Sequence, residues 1–158
     1  MEIEHARQKL GPGRIRAERF ASSQFEVYRN LWPSLSALKT ARDNLWKKAS
    51  PTNVQIFARQ LRDTTKIVQD GAIFFADQDY LELQSLPNAF GQYEIGKRKL
   101  IDIRSNADFE LSGEEFDFQI ENNRQHKKDY EAILERVRLS FQNQLSQLEE
   151  VKIVSSQP

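Results

Sequence analysis

The chain has 158 residues, 23 Lys and Arg against 23 Asp and Glu, and no cysteine. A zero balance argues against a dedicated nucleic-acid binder, and the missing thiols exclude a disulfide framework, a cysteine-ligated zinc site and a thiol nucleophile. The longest apolar run, Ala72 to Ala76, falls short of the ~7–15 residues of a secretory signal and the ~20 of a membrane span, so the sequence predicts one soluble, cytoplasmic domain.

Gly11-Pro12-Gly13 predicts a turn, setting residues 1–13 apart as a mobile segment before a helical-bundle domain over 14–150 and a frayed tail at 151–158. A first helix begins at Arg14 or, if Ser23-x-x-Glu26 forms a capping box, at Ser23, and ends near Ala49. Its stripe is Phe25, Tyr28, Leu31, Trp32, Leu35, Leu38, Leu45 and Trp46, with Pro33 as an expected kink. Ser50-Pro51 is a restart signal, Ser50 as N-cap and Pro51 at the first helical position. Val54, Phe57, Leu61, Val68 and Phe75 then mark a second helix ending near Ala76.

Asp77 opens a third helix with Leu81, Leu86, Phe90, Tyr93, Leu100 and Ile101 on its stripe, and Pro87 predicts a break within it. Gly91 and Gly96 each cost ~1 kcal/mol in an exposed helix, which points to close packing. Residues 105–113 read as a loop, and Ser112-x-x-Glu115 opens the longest helix, about Gly113 to Glu150. Its seam runs Phe116, Ile120, Asn123, Lys127, Tyr130, Leu134, Val137, Phe141, Gln144 and Leu148 in steps of four and three, a coiled-coil repeat with polar interruptions. About 55 Å of helix beside shorter partners predicts an overhang. The fold expected is all-α: an antiparallel bundle of about four helices with a long C-terminal helix.

Chemistry is sparse. Glu2-x-x-His5 has metal-ligand spacing but lacks its second copy, because Asn123 stands three residues before His126. Glu114-x-x-Asp117 supplies half of a magnesium motif, but no Glu-x-x-Glu lies upstream to complete it, and acidic residues in a first helical turn are explained by the helix dipole. No phosphate-cradling glycine loop or nucleophile elbow occurs, so the reading is non-enzymatic, with no cofactor and no metal. The aromatic side chains at helical spacing read as core. Lys97-Arg98-Lys99 and Lys47-Lys48 are basic clusters, ordinarily a solvated face and otherwise weak signals for phosphate or an anionic membrane.

Gln24-Phe25-Glu26-Val27-Tyr28 with Leu31-Trp32, then Leu38-Lys39, Leu45-Trp46, Asn53, Phe57, Gln60-Leu61, Tyr80, Leu83, Tyr93, Gly96-Lys97 and Leu100-Ile101, resembles a group of uncharacterised bacterial helical-bundle proteins. The likeness covers about residues 20–104. It implies a helical fold and bacterial origin and transfers no catalytic residue. Members often carry an N-terminal membrane helix that this sequence does not show.

The zero net charge is a cancellation: residues 1–50 sum to +5 and residues 105–158 to −5. Such a gradient favours helix-to-helix pairing, within one chain or between copies. The leading expectation is a protein partner or homo-oligomer docking on the overhanging seam, Asn123, Lys127, Tyr130, Leu134, Val137, Phe141, Gln144 and Leu148. The alternative is a peripheral module for an anionic surface, motivated by Arg14, Arg16 and Arg19 beside Phe20. A bundle holding a ligand or enzymatic pocket has the least support.

Overall fold

The computed structural model describes residues 2–105 and 113–155. Four helices make the fold: α1 (Glu2–Lys47), α2 (Pro51–Asp70), α3 (Asp77–Ser105) and α4 (Gly113–Ser155), with one 3₁₀ turn at Ala72–Phe74 and no strand among the described residues. The architecture is the all-α bundle that the apolar stripes predict. Val27, Ser34 and Asn44 of α1 meet Gly71, Thr64 and Asn53 in descending order, so α1 and α2 are antiparallel. Asp79, Glu82, Phe90 and Gly96 of α3 likewise meet Ser140, Arg136, Tyr130 and Asn123 of α4. Tyr28 against Phe141 and Arg42 against Glu131 close the ring between α1 and α4, again antiparallel.

Local chemistry explains where most of these helices begin and end. Ser50 Oγ accepts the Asn53 N–H at 3.2 Å and Pro51 occupies the first turn, where its missing donor costs nothing. Gly71 closes α2, its N–H on the Ile67 carbonyl. A Cβ added there would lie 2.5 Å from the Val27 side chain, so a glycine is what lets α1 pass this close. Asp77 and Asp79 in the first turn of α3 sit where the helix dipole favours negative charge.

Several boundaries differ from the sequence reading. α1 is continuous through Gly11, Pro12 and Gly13, where a turn is predicted, and through Ser23, whose capping signature lies in mid-helix. Pro33 is exposed, and so is Arg29, whose carbonyl loses its donor; that carbonyl faces water, which makes the interruption cheap. Pro87 does not divide α3 either. Leu83, Leu86 and Phe90 flank it fully buried, and at about 1.5–3 kcal/mol each they outweigh the ~3 kcal/mol that a helical proline costs. α2 stops at Asp70, six residues early, because the 3₁₀ turn intervenes. α4 continues past Glu150 to Ser155. The predicted loop at 105–113 and the Ser112 cap lie outside the described residues, apart from Ser105 and Gly113 at their helix ends.

The core is one cluster running the length of the bundle, with Leu31, Leu35, Leu38 and Leu45 from α1, Val54 and Phe57 from α2, Leu83 and Phe90 from α3 and Tyr130 and Val137 from α4. Phe57, Phe90, Tyr93 and Tyr130 form a chain of tilted and edge-to-face rings through its centre. Two predicted stripe residues miss it: Leu81 is exposed, and so is Phe25 at the margin of α1. The 46-residue α1 is longer than the 43-residue α4, about 69 Å against 65 Å, while α2 is near 30 Å and α3 near 44 Å. Both long helices therefore project at one end, α1 before Phe20 and α4 beyond Phe141.

Gly96 is the tightest point of the α3–α4 contact. A Cβ there would fall 2.2 Å from Asn123 Oδ1. Gly96→Ala is expected to lower unfolding free energy by about 1–3 kcal/mol through overpacking, and Asn123→Ala in the same chain to recover most of that loss; urea denaturation of the two singles and the double measures the coupling.

Candidate functional site

The seam predicted on α4 faces inward over most of its length. Asn123, Tyr130, Leu134 and Val137 are buried, and Lys127, Phe141 and Gln144 are half-buried. Tyr130 stacks edge-on against Phe90 and donates its hydroxyl to the Leu35 carbonyl at 3.4 Å, while Phe141 packs on Tyr28. These side chains complete the core of their own bundle and leave no free strip for another chain from Tyr130 to Val137. The periodicity was real, and the partner it addresses there is α1 and α3. Leu148 continues α4, and its side chain lies outside what the structure describes.

What the seam does carry is a polar break. Asn123 is fully buried at Gly96, and neither of its amide atoms has a hydrogen-bond partner. One turn along, Lys127 places Nζ 5.0 Å from the ring centre of Trp46. Lys97, in the sequence a member of a basic cluster with a solvated face, instead points inward at 6% exposure, its Nζ 4.4 Å from the same ring and 5.4 Å from Tyr93. Burial, then the charges of Arg104 and Lys127, push the Lys97 ammonium down to about 8. Among the described residues, Arg98 is the one charge of the Lys97-Arg98-Lys99 run with a carboxylate partner, Glu94 at 2.8 Å.

A second polar centre lies toward the other end. Asp79 is buried, and its Oδ2 accepts hydrogen bonds from the Tyr28 hydroxyl and, at 2.7 Å, from Ser140. Tyr28 in turn accepts the Ala76 N–H at 3.2 Å. Midway, Arg42 is 1% exposed, lies over the Tyr130 ring at 4.8 Å and pairs with Asp43 and Glu131, leaving Nη1 without a partner. Each of these charges is tied to groups on other helices, so their geometry suits fixing the bundle.

Among the described residues no group of three or more His, Cys, Asp or Glu side chains is placed to hold a metal, and no helix is long and apolar enough to cross a membrane. Arg14, Arg16, Arg19 and Phe20 are exposed on α1, with Arg14 on Glu18 at 3.1 Å. Phe20 touches Phe74 at 5.8 Å between ring centres, and Ile73 beside it is 78% exposed. Of the nine large apolar side chains exposed among the described residues, Ile15 and Phe20 lie on the projecting part of α1 with Ile73 beside Phe20, and Phe25, Leu81 and Leu139 follow in the first turns of the bundle at that end. Sequence periodicity does not single them out, because Phe25 and Leu81 share the stripe of core residues.

No family model, curated protein or solved structure matches the chain.

The depressed Lys97 and the buried tyrosines give stability a bell-shaped dependence on alkaline pH. Folded Lys97 releases its proton near 8, whereas an unfolded lysine holds it to about 10.4; in that interval the unfolded chain binds more protons, so stability rises with pH. Burial raises Tyr28, Tyr93 and Tyr130 above the ordinary tyrosine range, so above pH ~10 the unfolded chain gives up protons that the folded one keeps, and stability falls. Denaturation midpoints are expected to climb by about 1 kcal/mol in equivalent stability from pH 8 to 10 and then decline. Lys97→Met should abolish the climb and keep the decline.

Proposed function

We propose that this is a non-enzymatic helical bundle that works through protein contact, and that its partner at the projecting end is a second copy of the chain. One observation carries the reading: exposed apolar side chains are gathered where α1 and α4 outrun α2 and α3, with Phe20, Ile73 and Phe25 uncovered beside the buried Tyr28 and Phe75. A patch of this kind costs free energy in water and is relieved by self-complementary pairing about a two-fold axis. Some 30 Å of paired helix from each copy is on the scale of the ~800 Å² per partner that a stable interface buries. The +5 of residues 1–50 against the −5 of residues 105–158 favours an arrangement in which α1 of one copy lies near α4 of the other. The proposed contact is then on the α1 end in place of the mid-helix seam of α4.

Kinship with the bacterial bundle proteins is part of the same proposal. The positions that carry the resemblance include Tyr28, Leu31, Leu45, Phe57 and Tyr93, all core in this fold, so the likeness speaks to architecture. A second reading, docking on an anionic surface, is favoured by exposed Arg16 and Arg19 flanking Phe20; co-sedimentation with anionic vesicles at low salt tests it, and absence of binding removes it.

Sedimentation equilibrium is the decisive measurement for the leading reading. The expected mass exceeds the 18.4 kDa of one chain and rises with concentration, and Phe20→Glu with Ile73→Glu returns it to the monomer while far-ultraviolet dichroism is unchanged. A wild-type chain that stays monomeric into the high micromolar range overturns self-association.

A further inference from the structure

Trp46, near the end of α1, is approached by two ammonium groups. Lys97 of α3 and Lys127 of α4 place their Nζ atoms 4.4 Å and 5.0 Å from its ring centre. Groups at those distances from a common point lie no further apart than the two distances laid end to end, and both side chains are long and flexible. Arg104, two turns beyond Lys97 on α3, contributes a third positive charge felt at Lys97.

Arg98, Arg124, Arg136 and Arg138 each hold a glutamate. Among the described residues Lys97, Lys127 and Arg104, like the exposed Lys99 and Lys128, have no carboxylate within salt-bridge distance. Lys97 is moreover buried, and an ammonium withdrawn from water against aromatic faces alone keeps only part of the stabilisation that it loses.

The second observation is Asn123. It precedes Lys127 by one turn on the same face and is pressed against Gly96, the neighbour of Lys97. Its side chain is completely buried and neither amide atom is hydrogen-bonded. A buried amide without partners is costly, and a ligand that neutralises the adjacent cations also supplies the acceptor that its Nδ2 lacks.

We propose that Trp46, Lys97, Asn123 and Lys127 form a binding site for a phosphoryl oxyanion. Two cations without a carboxylate at one indole call for a ligand with more than one negative charge. The donors come from two helices and include two point-charge ammonium groups, which suits a tetrahedral anion better than a planar carboxylate with its preference for the guanidinium fork. The phosphoryl group arrives either as a small phosphate in solution or as the headgroup of an acidic lipid. The site lies at the opposite end of the bundle from Phe20 and Ile73, so it stands or falls apart from self-association.

The test uses the full chain labelled with nitrogen-15 and titrated with inorganic phosphate at constant ionic strength. The indole N–H signal of Trp46, assigned through Trp46→Phe, is expected to shift saturably while that of Trp32 stays in place. Lys97→Met and Lys127→Met should each weaken the apparent affinity by about tenfold or more; Lys127 is only half-buried, so its variant keeps the fold and the measurement decisive. Vesicles containing phosphatidate separate the two sources. Co-sedimentation that inorganic phosphate displaces and Lys127→Met abolishes identifies a lipid headgroup, whereas a phosphate-induced shift without vesicle binding identifies a soluble phosphate. The proposal is overturned if Trp46 responds to neither probe, if chloride moves its signal equally, or if both lysine variants respond as wild type.

Discussion

Asp79 is withdrawn from water at the start of α3 and holds the Tyr28 hydroxyl of α1 and the Ser140 hydroxyl of α4 on a single carboxylate oxygen. Hydrophobic stripes are tolerant of sliding, since a leucine one turn up or down finds another apolar surface. A buried carboxylate is not tolerant, because losing either hydroxyl leaves charge without compensation. The Ala76 N–H on Tyr28 adds the turn before α3 to the same knot. Three helices and one connection thus share an axial reference, and the positions of Phe75 and Phe141 around the Tyr28 ring follow from it.

Other polar groups repeat this logic at lower cost. Ser34 and Thr64 share a hydroxyl contact of 2.8 Å, and the Gln60 amide reaches the same pair, fixing α1 against α2. Glu82 receives both arms of Arg136 at 2.9 Å, fixing α3 against α4 on the surface. The cation-rich end is built differently: around Trp46 the polar groups outnumber their partners, and the helices meet there through a glycine and an unsatisfied amide. Buried polar atoms without partners are confined to Arg42 Nη1 and the Asn123 amide among the described residues, and only the second stands next to a buried ammonium.

Fold class was legible because period and length are direct consequences of burial. The stripes of α1, α2 and α4 name most of the core correctly, Leu31 to Leu45, Val54 to Val68 and Tyr130 to Val137. Breaks were less legible. Pro33 and Pro87 carry strong local preferences, yet a proline whose neighbours are buried or which stands on an exposed face is held in the helix by its surroundings, which a local reading does not contain. Asn123 and Lys127 stood out as polar residues on an apolar seam, so half of the proposed anion site was visible in the spacing of α4. Lys97 was not, because three consecutive basic residues look alike in a sequence and only packing reveals which of them turns inward. The exposed apolar end was hidden for the opposite reason: Phe25 and Leu81 obey the same period as residues of the core.

Helices α1 and α4 touch at a few separated levels, Tyr28 with Phe141, Leu35 with Tyr130, Arg42 with Glu131 and Trp46 with Lys127, whereas each neighbouring pair in the chain packs along a continuous face. A molecule closed so lightly on one side breathes there first, since parting that edge breaks the smallest set of contacts. Trp46 stands on the edge itself. Its ring contacts Lys97, so a buried charge of the bundle sits beside the edge that opens most easily to water, while Phe57 and Phe90 lie on the far side of Tyr93 in the aromatic centre.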